Sequence, residues 1–286
     1  MNALRALLNP TYLTDVVDIG ANPIDGGDLS YQAMLQAGLC RVTGFEPQEE
    51  ALVRLNANKG NNERYLPYAV GDGREGLLRI CRASGMSSLL EPDPATLALF
   101  VVLQPLGEVV QRVPLMTRRL DDIEEIERVD FLKMDVQGSE LAVFQSGRNK
   151  LAGSVVIQVE VSFLTLYQNQ PAFGEIDLEL RHQGFVPHCF ADVKKWPIAP
   201  CVVNNDPRLA LNQLLEADMV YVRDFSRSDS MSDEQLKQLI LVAHHCYRSF
   251  DLALHCLSLL ETRNCLGVGS QQKYIEMLKS EERTRQ

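Results

Sequence analysis

Short runs of β-branched and other apolar residues alternate with segments of helical pattern along residues 1–225. This alternation is typical of βα units that stack into a mostly parallel sheet. Seven runs have the character of strands, and they lie at 15–19, 41–45, 65–70, 129–134, 154–161, 185–190 and 218–223. The pattern predicts a doubly wound α/β fold built on a seven-stranded, mostly parallel sheet.

The segments between these runs predict helices over 29–37, 49–58, 139–145 and 176–182. Gly38, Gly60 and Gly184 follow three of them, and a left-handed glycine commonly ends a helix. Between the third and fourth runs, residues 76–82 and 109–117 alternate apolar and polar positions. This alternation predicts an antiparallel pair of strands.

Residues 226–286 show only helical patterns. Ser232 with Gln235 three positions later has the signature of a capping box, and an apolar stripe follows it. We expect two units, a main domain over 1–225 and a helical hairpin plus terminal helix over 226–286. One hairpin cannot bury its own apolar face, so it packs on the main domain or forms a homo-oligomer.

Composition narrows the class of protein. The 286 residues are 45% hydrophobic and 23% charged, which are ordinary values for a globular chain. The formal charge is -10, so no basic field attracts nucleic acid or an anionic membrane surface. Residues 1–225 hold 20 basic and 30 acidic side chains, whereas 226–286 hold 8 of each. This difference supports a boundary near residue 225.

Membrane and disulfide classes are not expected. No segment reaches the roughly 18 apolar residues of a membrane-spanning helix. The seven cysteines include no C-x-x-C pair, and their odd number argues against a disulfide framework. They fit a reducing compartment, so we expect a cytoplasmic protein.

The first predicted strand ends in Asp18-Ile-Gly20-Ala21-Asn22. Gly20 permits a sharp turn and lets the backbone approach a ligand closely. A dinucleotide fingerprint is absent, because Asn22 replaces the second glycine and Gly26-Gly27 lie off the required spacing. The alternative is an ordinary strand-to-helix turn.

Two further acids follow predicted strands. Glu46 comes 26 positions after Gly20, where a carboxylate accepts two hydrogen bonds from ribose hydroxyls. By itself it would be a solvated loop residue, but its placement favours a nucleoside site. Asp72 either accepts from an adenine amino group or is a turn aspartate between two glycines.

Lys133 and Asp135 share one face at the end of the fourth predicted strand, where ligands bind in open α/β sheets. An ion pair between them is the structural alternative. Glu160 interrupts an apolar strand, and a buried carboxylate is costly unless it is paired or bound to a cation. Asp135 and Glu160 are therefore candidates for a functional pair.

Six short motifs along the chain suggest a family. They are V-V-D-I-G-A-N at 16–22, F-E-P at 45–47, A-V-G-D at 69–72, S-S-L at 87–89, L-K-M-D-V-Q-G-S-E at 132–140 and D-M-V-Y-V at 218–222. Together they resemble the FkbM-type methyltransferases, S-adenosylmethionine-dependent enzymes of the class I Rossmann-like fold. The resemblance spans roughly residues 13–225, and Pro23-Ile24-Asp25 depart from the family pattern.

The resemblance implies a site for S-adenosylmethionine. Its residues would be Asp18, Gly20, Ala21, Asn22, Glu46, Pro47, Gly71, Asp72, Ser88 and Asp135. By the same resemblance Glu46 holds the ribose, Asp72 lies by the adenine, Ser88 is on a loop that closes over the site, and Asp135 lies beside the sulfonium.

The expected reaction is transfer of a methyl group to a hydroxyl of a sugar, glycan or secondary metabolite. An in-line displacement mainly needs alignment, and an alcohol also loses a proton, for which Asp135 and Glu160 are the catalytic candidates. The two carboxylates could instead share one Mg²⁺. The alternatives are a catalytically silent cofactor-binding module whose tail recruits a partner, and a nicotinamide-dependent oxidoreductase, which the missing glycine pattern disfavours.

Overall fold

The computed structural model describes residues 2–22, 29–209 and 211–285, and the strands and helices named here lie within them. The strands are β1 (Thr14–Ile19), β2 (Cys40–Phe45), β3 (Glu63–Leu66), β4 (Ala69–Val70), β5 (Glu75–Cys81), β6 (Val109–Arg118), β7 (Phe131–Met134), β8 (Val156–Ser162), β9 (Phe185–Lys195) and β10 (Leu214–Arg223).

The helices of the main part are α1 (Ala3–Leu8), α2 (Gln32–Gln36), α3 (Glu49–Asn58), α4 (Pro94–Leu97), α5 (Leu103–Leu106), α6 (Glu140–Ser146), α7 (Arg148–Leu151) and α8 (Phe173–His182). The tail contains α9 (Asp233–His245), α10 (Phe250–Thr262) and α11 (Ser270–Arg285). Short 3-10 turns lie at Ser84–Met86, Leu120–Asp122 and Ser228–Ser230.

Seven strands form the main sheet in the order β3-β2-β1-β7-β8-β10-β9. The five strands from β3 to β8 in this order are parallel, and β10 is antiparallel to both of its neighbours. Every residue of β8 is buried, as expected of a central strand that is covered on both faces. The predicted α/β class with a mostly parallel seven-stranded sheet is confirmed.

The third predicted strand, 65–70, is divided between two sheets. Glu63–Leu66 pairs with β2, whereas Ala69–Val70 pairs with β6 in a three-stranded sheet of order β4-β6-β5. Pro67 separates the two pieces, and proline has no N–H with which to continue a ladder. The predicted antiparallel pair in this region is present as β5 and β6.

The loop after β1 is described only in part. The predicted helix over 29–37 is α2, which begins at Gln32. The departure at Pro23-Ile24-Asp25 and the Gly26-Gly27 pair lie outside the described residues.

The tail helices pack on one face of the main sheet. Leu239 and Ile240 of α9 belong to the same hydrophobic cluster as Val16, Phe131 and Val220 of the sheet. The Oγ1 of Thr14 donates to Oε1 of Gln238 at 2.7 Å, and both side chains are buried. Residues of the two predicted units thus share one core.

The predicted capping box starts α9. The Ser232 hydroxyl accepts from Gln235 N at 3.3 Å, and Gln235 Oε1 accepts from Ser232 N at 2.9 Å. Across the described residues, none of the helices is long and apolar enough to cross a membrane.

Candidate functional site

A cavity lies at the carboxyl ends of β1, β2 and β7. These strands are neighbours in the sheet, so the residues that follow them, Gly20, Glu46 and Asp135, meet in its wall. Asn22, Pro47 and Ser88 also line it.

Gly20 holds the β1 loop against the β7 loop. Its φ is +80°, and a Cβ at this position would lie 1.8 Å from the carbonyl oxygen of Asp135. Only glycine fits such an approach in a left-handed conformation. The N–H groups of Gly20 and Ala21 donate to the carbonyl of Phe45 at 3.0 and 3.1 Å, which fixes the turn on β2.

Glu46 is 2% exposed although it carries a carboxylate. One side-chain oxygen accepts from Gln48 N at 2.7 Å. Burial raises the pKa of Glu46 to about 7, the Gln48 N–H opposes this rise, and the charge of Asp18 adds to it. A buried carboxylate in a cavity wall is well placed to accept hydrogen bonds from a ligand.

Asn22 offers an unpaired amide to this cavity. Within the described part of the chain, neither its amide nitrogen nor its amide oxygen has a hydrogen-bond partner, although both are buried. An unsatisfied buried polar group costs about 1–3 kcal/mol, so such groups usually contact a ligand or water.

The loop after β5 covers the cavity. Ser88 Oγ donates to the carbonyl of Gln137 at 2.6 Å and accepts from Leu90 N at 2.9 Å, so this loop is joined to the β7 loop. The ring of Tyr68 stacks on Phe45 with centroids 6.1 Å apart, and both residues line the cavity.

Four of the predicted cofactor residues lie outside this cavity's wall. Asp18 is buried between Lys133 Nζ at 3.2 Å and the Tyr31 hydroxyl, which donates to it at 2.6 Å. Asp72 is half-exposed and accepts from Arg74 N at 3.0 Å, as a turn aspartate does. Gly71 does not line this cavity either. Ala21 lines a second cavity, which adjoins the first.

A second, larger cavity adjoins the first. The two share four wall residues, which are Asn22, Gly85, Asp135 and Gln137. The second one is lined by aromatic and charged side chains together, among them Tyr31, Tyr65, Phe190, Trp196, Tyr247, Lys133, Asp192, Lys194, Glu216 and Asp218. Asp135 therefore lies where the two spaces meet.

Glu160 is placed differently from Asp135. It lines neither cavity, and it is 5% exposed. Lys194 Nζ contacts its Oε1 at 2.6 Å, and Gln137 Nε2 donates to its Oε2 at 2.6 Å. Burial, followed by the charges of Asp135 and Glu216, raises its pKa well above the ordinary value.

Lys194 and Glu216 belong to the same buried group, and the sequence analysis did not identify them. They pair in register across β9 and β10, with Nζ and Oε2 3.8 Å apart. Burial raises the pKa of Glu216 to about 7, against the effect of Lys194. Both lie outside the predicted strands 185–190 and 218–223. The observed strands β9 and β10 are longer and include them, so a correct prediction of the strand lengths would have found this pair.

Glu140 holds the loop that carries Asp135. Its Oε1 accepts from the N–H groups of Val136 and Gly138 at 3.2 and 3.0 Å. Burial raises the pKa of Glu140 to about 7, although the Gly138 N–H opposes this. Glu140 and Gln137 stand in the motif at 132–140, but no role was predicted for either.

The predicted Mg²⁺ finds no support. Among the residues that the structure describes, no three His, Cys, Asp or Glu side chains are grouped to hold a metal ion. Asp135 and Glu160 are bridged by the amide of Gln137 instead.

Comparisons with known proteins place the chain in a family. The methyltransferase FkbM domain model matches residues 18–187. The 2-O-methyltransferase NoeI of Sinorhizobium fredii is 29% identical over 177 residues, which are 57% of this chain and 70% of that protein. Because the family match covers more than half of the chain, the protein belongs to the FkbM methyltransferase family, and it is an enzyme of the methyltransferase class.

Solved structures of methyltransferases are similar at low identity. Magnesium protoporphyrin IX methyltransferase of Synechocystis, solved with bound SAM, is 10% identical with a TM-score of 0.39, over 77% of this chain and 76% of that one. The precorrin-6y methyltransferase of Geobacter metallireducens is 12% identical with a TM-score of 0.37, over 77% and 85%. Both scores lie below 0.5, and the assignment rests on the family match.

Proposed function

We propose that this protein is an S-adenosylmethionine-dependent O-methyltransferase that acts on a hydroxyl of a sugar, glycan or secondary metabolite. The observation that carries the proposal is the meeting of two cavities at Asp135. The smaller one would take the methyl donor and the larger one the acceptor. Their shared wall would then be the point of methyl transfer.

The smaller cavity suits the donor. Asn22 offers an unpaired amide, and Glu46 offers a buried carboxylate to which ribose hydroxyls would donate. When bound there, S-adenosylmethionine would supply an electrophilic methyl group on a sulfonium. We infer that the remaining predicted cofactor residues act indirectly, Asp18 by holding Lys133 and Asp72 by shaping a turn.

The chain's own residues would align the acceptor and remove a proton. Alignment of the reacting atoms supplies most of the rate enhancement in such a displacement. Asp135 lines both cavities, so its carboxylate would accept the hydroxyl proton while the acceptor oxygen takes the methyl carbon and the bond from that carbon to the sulfonium sulfur breaks, and it would then release the proton to solvent.

The larger cavity suits a polyhydroxylated acceptor. Aromatic rings such as Trp196 and Tyr65 would cover the apolar faces of a sugar, and Asp192 and Asp218 would accept from its hydroxyls. The name of the relative NoeI, a 2-O-methyltransferase, supports an oxygen acceptor. The tail also contributes to this wall through Tyr247.

The first experiment is calorimetry with S-adenosylmethionine and S-adenosylhomocysteine, followed by transfer of a labelled methyl group to a panel of mono- and oligosaccharides. We expect both cofactor forms to bind, and Asp135→Ala to retain S-adenosylhomocysteine while losing transfer. Glu75→Gln, a change at an exposed acid outside both cavities, is the matched control. Binding of neither compound would contradict the proposal, and unimpaired transfer by Asp135→Ala would remove Asp135 from the reaction.

The cytoplasmic location, the boundary at residue 225 and a homo-oligomer formed through α9–α11 stay predictions. Light scattering on the purified chain measures the oligomeric state directly.

A further inference from the structure

Gln137 lies between the carboxylates of Asp135 and Glu160, the two residues that the sequence predicted as catalytic candidates. Its Nε2 donates to Asp135 Oδ1 at 2.7 Å and to Glu160 Oε2 at 2.6 Å. A glutamine amide has two N–H donors, so both are engaged, one on each carboxylate. Gln137 also lines both cavities, so this bridge lies at their junction.

The rest of Gln137 is held equally firmly. The Tyr167 hydroxyl lies 2.9 Å from its Oε1, and Ser88 Oγ donates to its carbonyl at 2.6 Å. Its φ is +53°, an unfavourable conformation for a residue other than glycine. Such a conformation persists only where its surroundings impose it, and it is common at functional sites.

The two carboxylates at the ends of this bridge differ in freedom. Glu160 has one oxygen on Lys194 and the other on Gln137, and it lines neither cavity. Asp135 has one oxygen on Gln137 and faces both cavities. Of the two, only Asp135 can therefore contact the reacting groups. Glu160 is linked to Asp135 through the amide of Gln137.

Lys133 precedes Asp135 by two residues and lines the larger cavity. Its ammonium lies 3.2 Å from Asp18 Oδ1, so it is paired with a different carboxylate. The Asp135 carboxylate instead accepts from the Gln137 amide at 2.7 Å, at the junction of the two cavities.

We propose that Gln137 is a positioning residue, which fixes the Asp135 carboxylate at the junction of the two cavities and is itself anchored by Glu160 and Lys194. This inference rests on the proposed function. It assigns proton acceptance to Asp135 alone and makes Glu160 an anchor. The arrangement follows the general pattern in which a third group orients a catalytic base.

The charge of the methyl donor provides a readout that requires no acceptor. S-adenosylmethionine carries a sulfonium, whereas S-adenosylhomocysteine has a neutral sulfur at the same place. A carboxylate held at the junction favours the cation, so the ratio of the two dissociation constants reports where Asp135 points.

The test is calorimetry of both compounds with wild type, Gln137→Met, Asp135→Asn and the double variant. Methionine keeps the length of the side chain and removes both N–H donors. We expect Gln137→Met to reduce the preference for S-adenosylmethionine about 3- to 10-fold and to leave the affinity for S-adenosylhomocysteine within about 2-fold. Asp135→Asn should have the same effect, and the double variant should lose no more than either single variant.

Gln183→Met is the matched control. The Nε2 of Gln183 also donates two hydrogen bonds, to the Phe144 carbonyl at 2.9 Å and to Glu179 Oε1 at 2.7 Å, but Gln183 lies outside both cavities. It should lower stability and keep the wild-type ratio. Should Gln137→Met fail to fold, Tyr167→Phe decides. It removes the hydroxyl that lies 2.9 Å from both Gln137 Oε1 and the Met86 carbonyl, and it should reduce the ratio about 2- to 3-fold.

The outcomes separate the inference from the proposed function. If wild type binds neither compound, the proposed function fails. If wild type binds both and Gln137→Met keeps the wild-type ratio, the positioning role fails. Additive losses in the double variant would also overturn it, because Gln137 would then act independently of Asp135.

Discussion

Glu46 shows how a single residue combines a prediction from sequence with a property that only burial creates. Its place after the second strand predicted a ligand-facing acid, and it lines a cavity with Gly20. Burial raises its pKa to about 7, which no sequence pattern indicated. At neutral pH this carboxyl group is therefore close to the midpoint of its titration.

This value predicts a pH dependence of cofactor affinity. Two ribose hydroxyls need an ionised Glu46 as acceptor, and below pH 7 the group binds a proton that the ligand must displace. The affinity for S-adenosylhomocysteine should thus be constant above about pH 8 and fall up to tenfold per unit below about pH 6.5. Calorimetry across this range measures it.

Glu46→Gln separates this effect from the other buried acids. It should bind more weakly and lose the pH dependence, whereas Glu75→Gln should keep the wild-type profile. A wild-type affinity that does not change with pH would show that Glu46 does not hold the ligand.

At the scale of elements, α9 is buried around most of its circumference. The sequence predicted one apolar stripe, yet Gln238 and His244 are also buried with Leu236, Leu239 and Ile240. The cause is that α9 lies in one cluster with the sheet on one side and α10 on the other. The hydrophobic periodicity of a helix identifies its apolar face. It cannot show that distant segments of the chain also bury the polar residues on the other faces.

Leu239→Ala should therefore destabilise the whole protein. Leu239 is 0% exposed, and removal of a buried leucine side chain costs about 2–5 kcal/mol of the free energy of unfolding. Leu178→Ala on α8 is the matched control, because Leu178 is 58% exposed. Urea denaturation measures both variants. A loss below about 1 kcal/mol for Leu239→Ala would contradict the shared core.

At the scale of the whole molecule, the tail and the sheet behave as one body in this structure. One hydrophobic cluster includes residues of α1, β1, β7, β10, α9 and α10, and Tyr247 of the tail donates to Gln158 of β8 at 2.9 Å. The same Tyr247 lines the larger cavity, so the tail contributes to the site as well as to the core.

A single cooperative unfolding transition follows from this arrangement. Far-UV circular dichroism follows the helices, and the fluorescence of Trp196, the one tryptophan of the chain, follows the larger cavity. The two should give the same midpoint. S-adenosylhomocysteine at 100 times its dissociation constant should raise the free energy of unfolding by about 2.7 kcal/mol, and both probes should report this increase. Separate midpoints would show that the tail folds as an independent domain.

The sequence by itself determined the sheet, the capping box and the meeting of Gly20, Glu46 and Asp135, because each depends on local patterning and on the rule that adjacent parallel strands end at the same edge. Only the tertiary structure decided that Gln137 joins Asp135 to Glu160, and that Lys194 and Glu216 lie behind them. Those contacts connect residues far apart in the chain, and they depend on side-chain directions and burial. A linear pattern of residues contains neither.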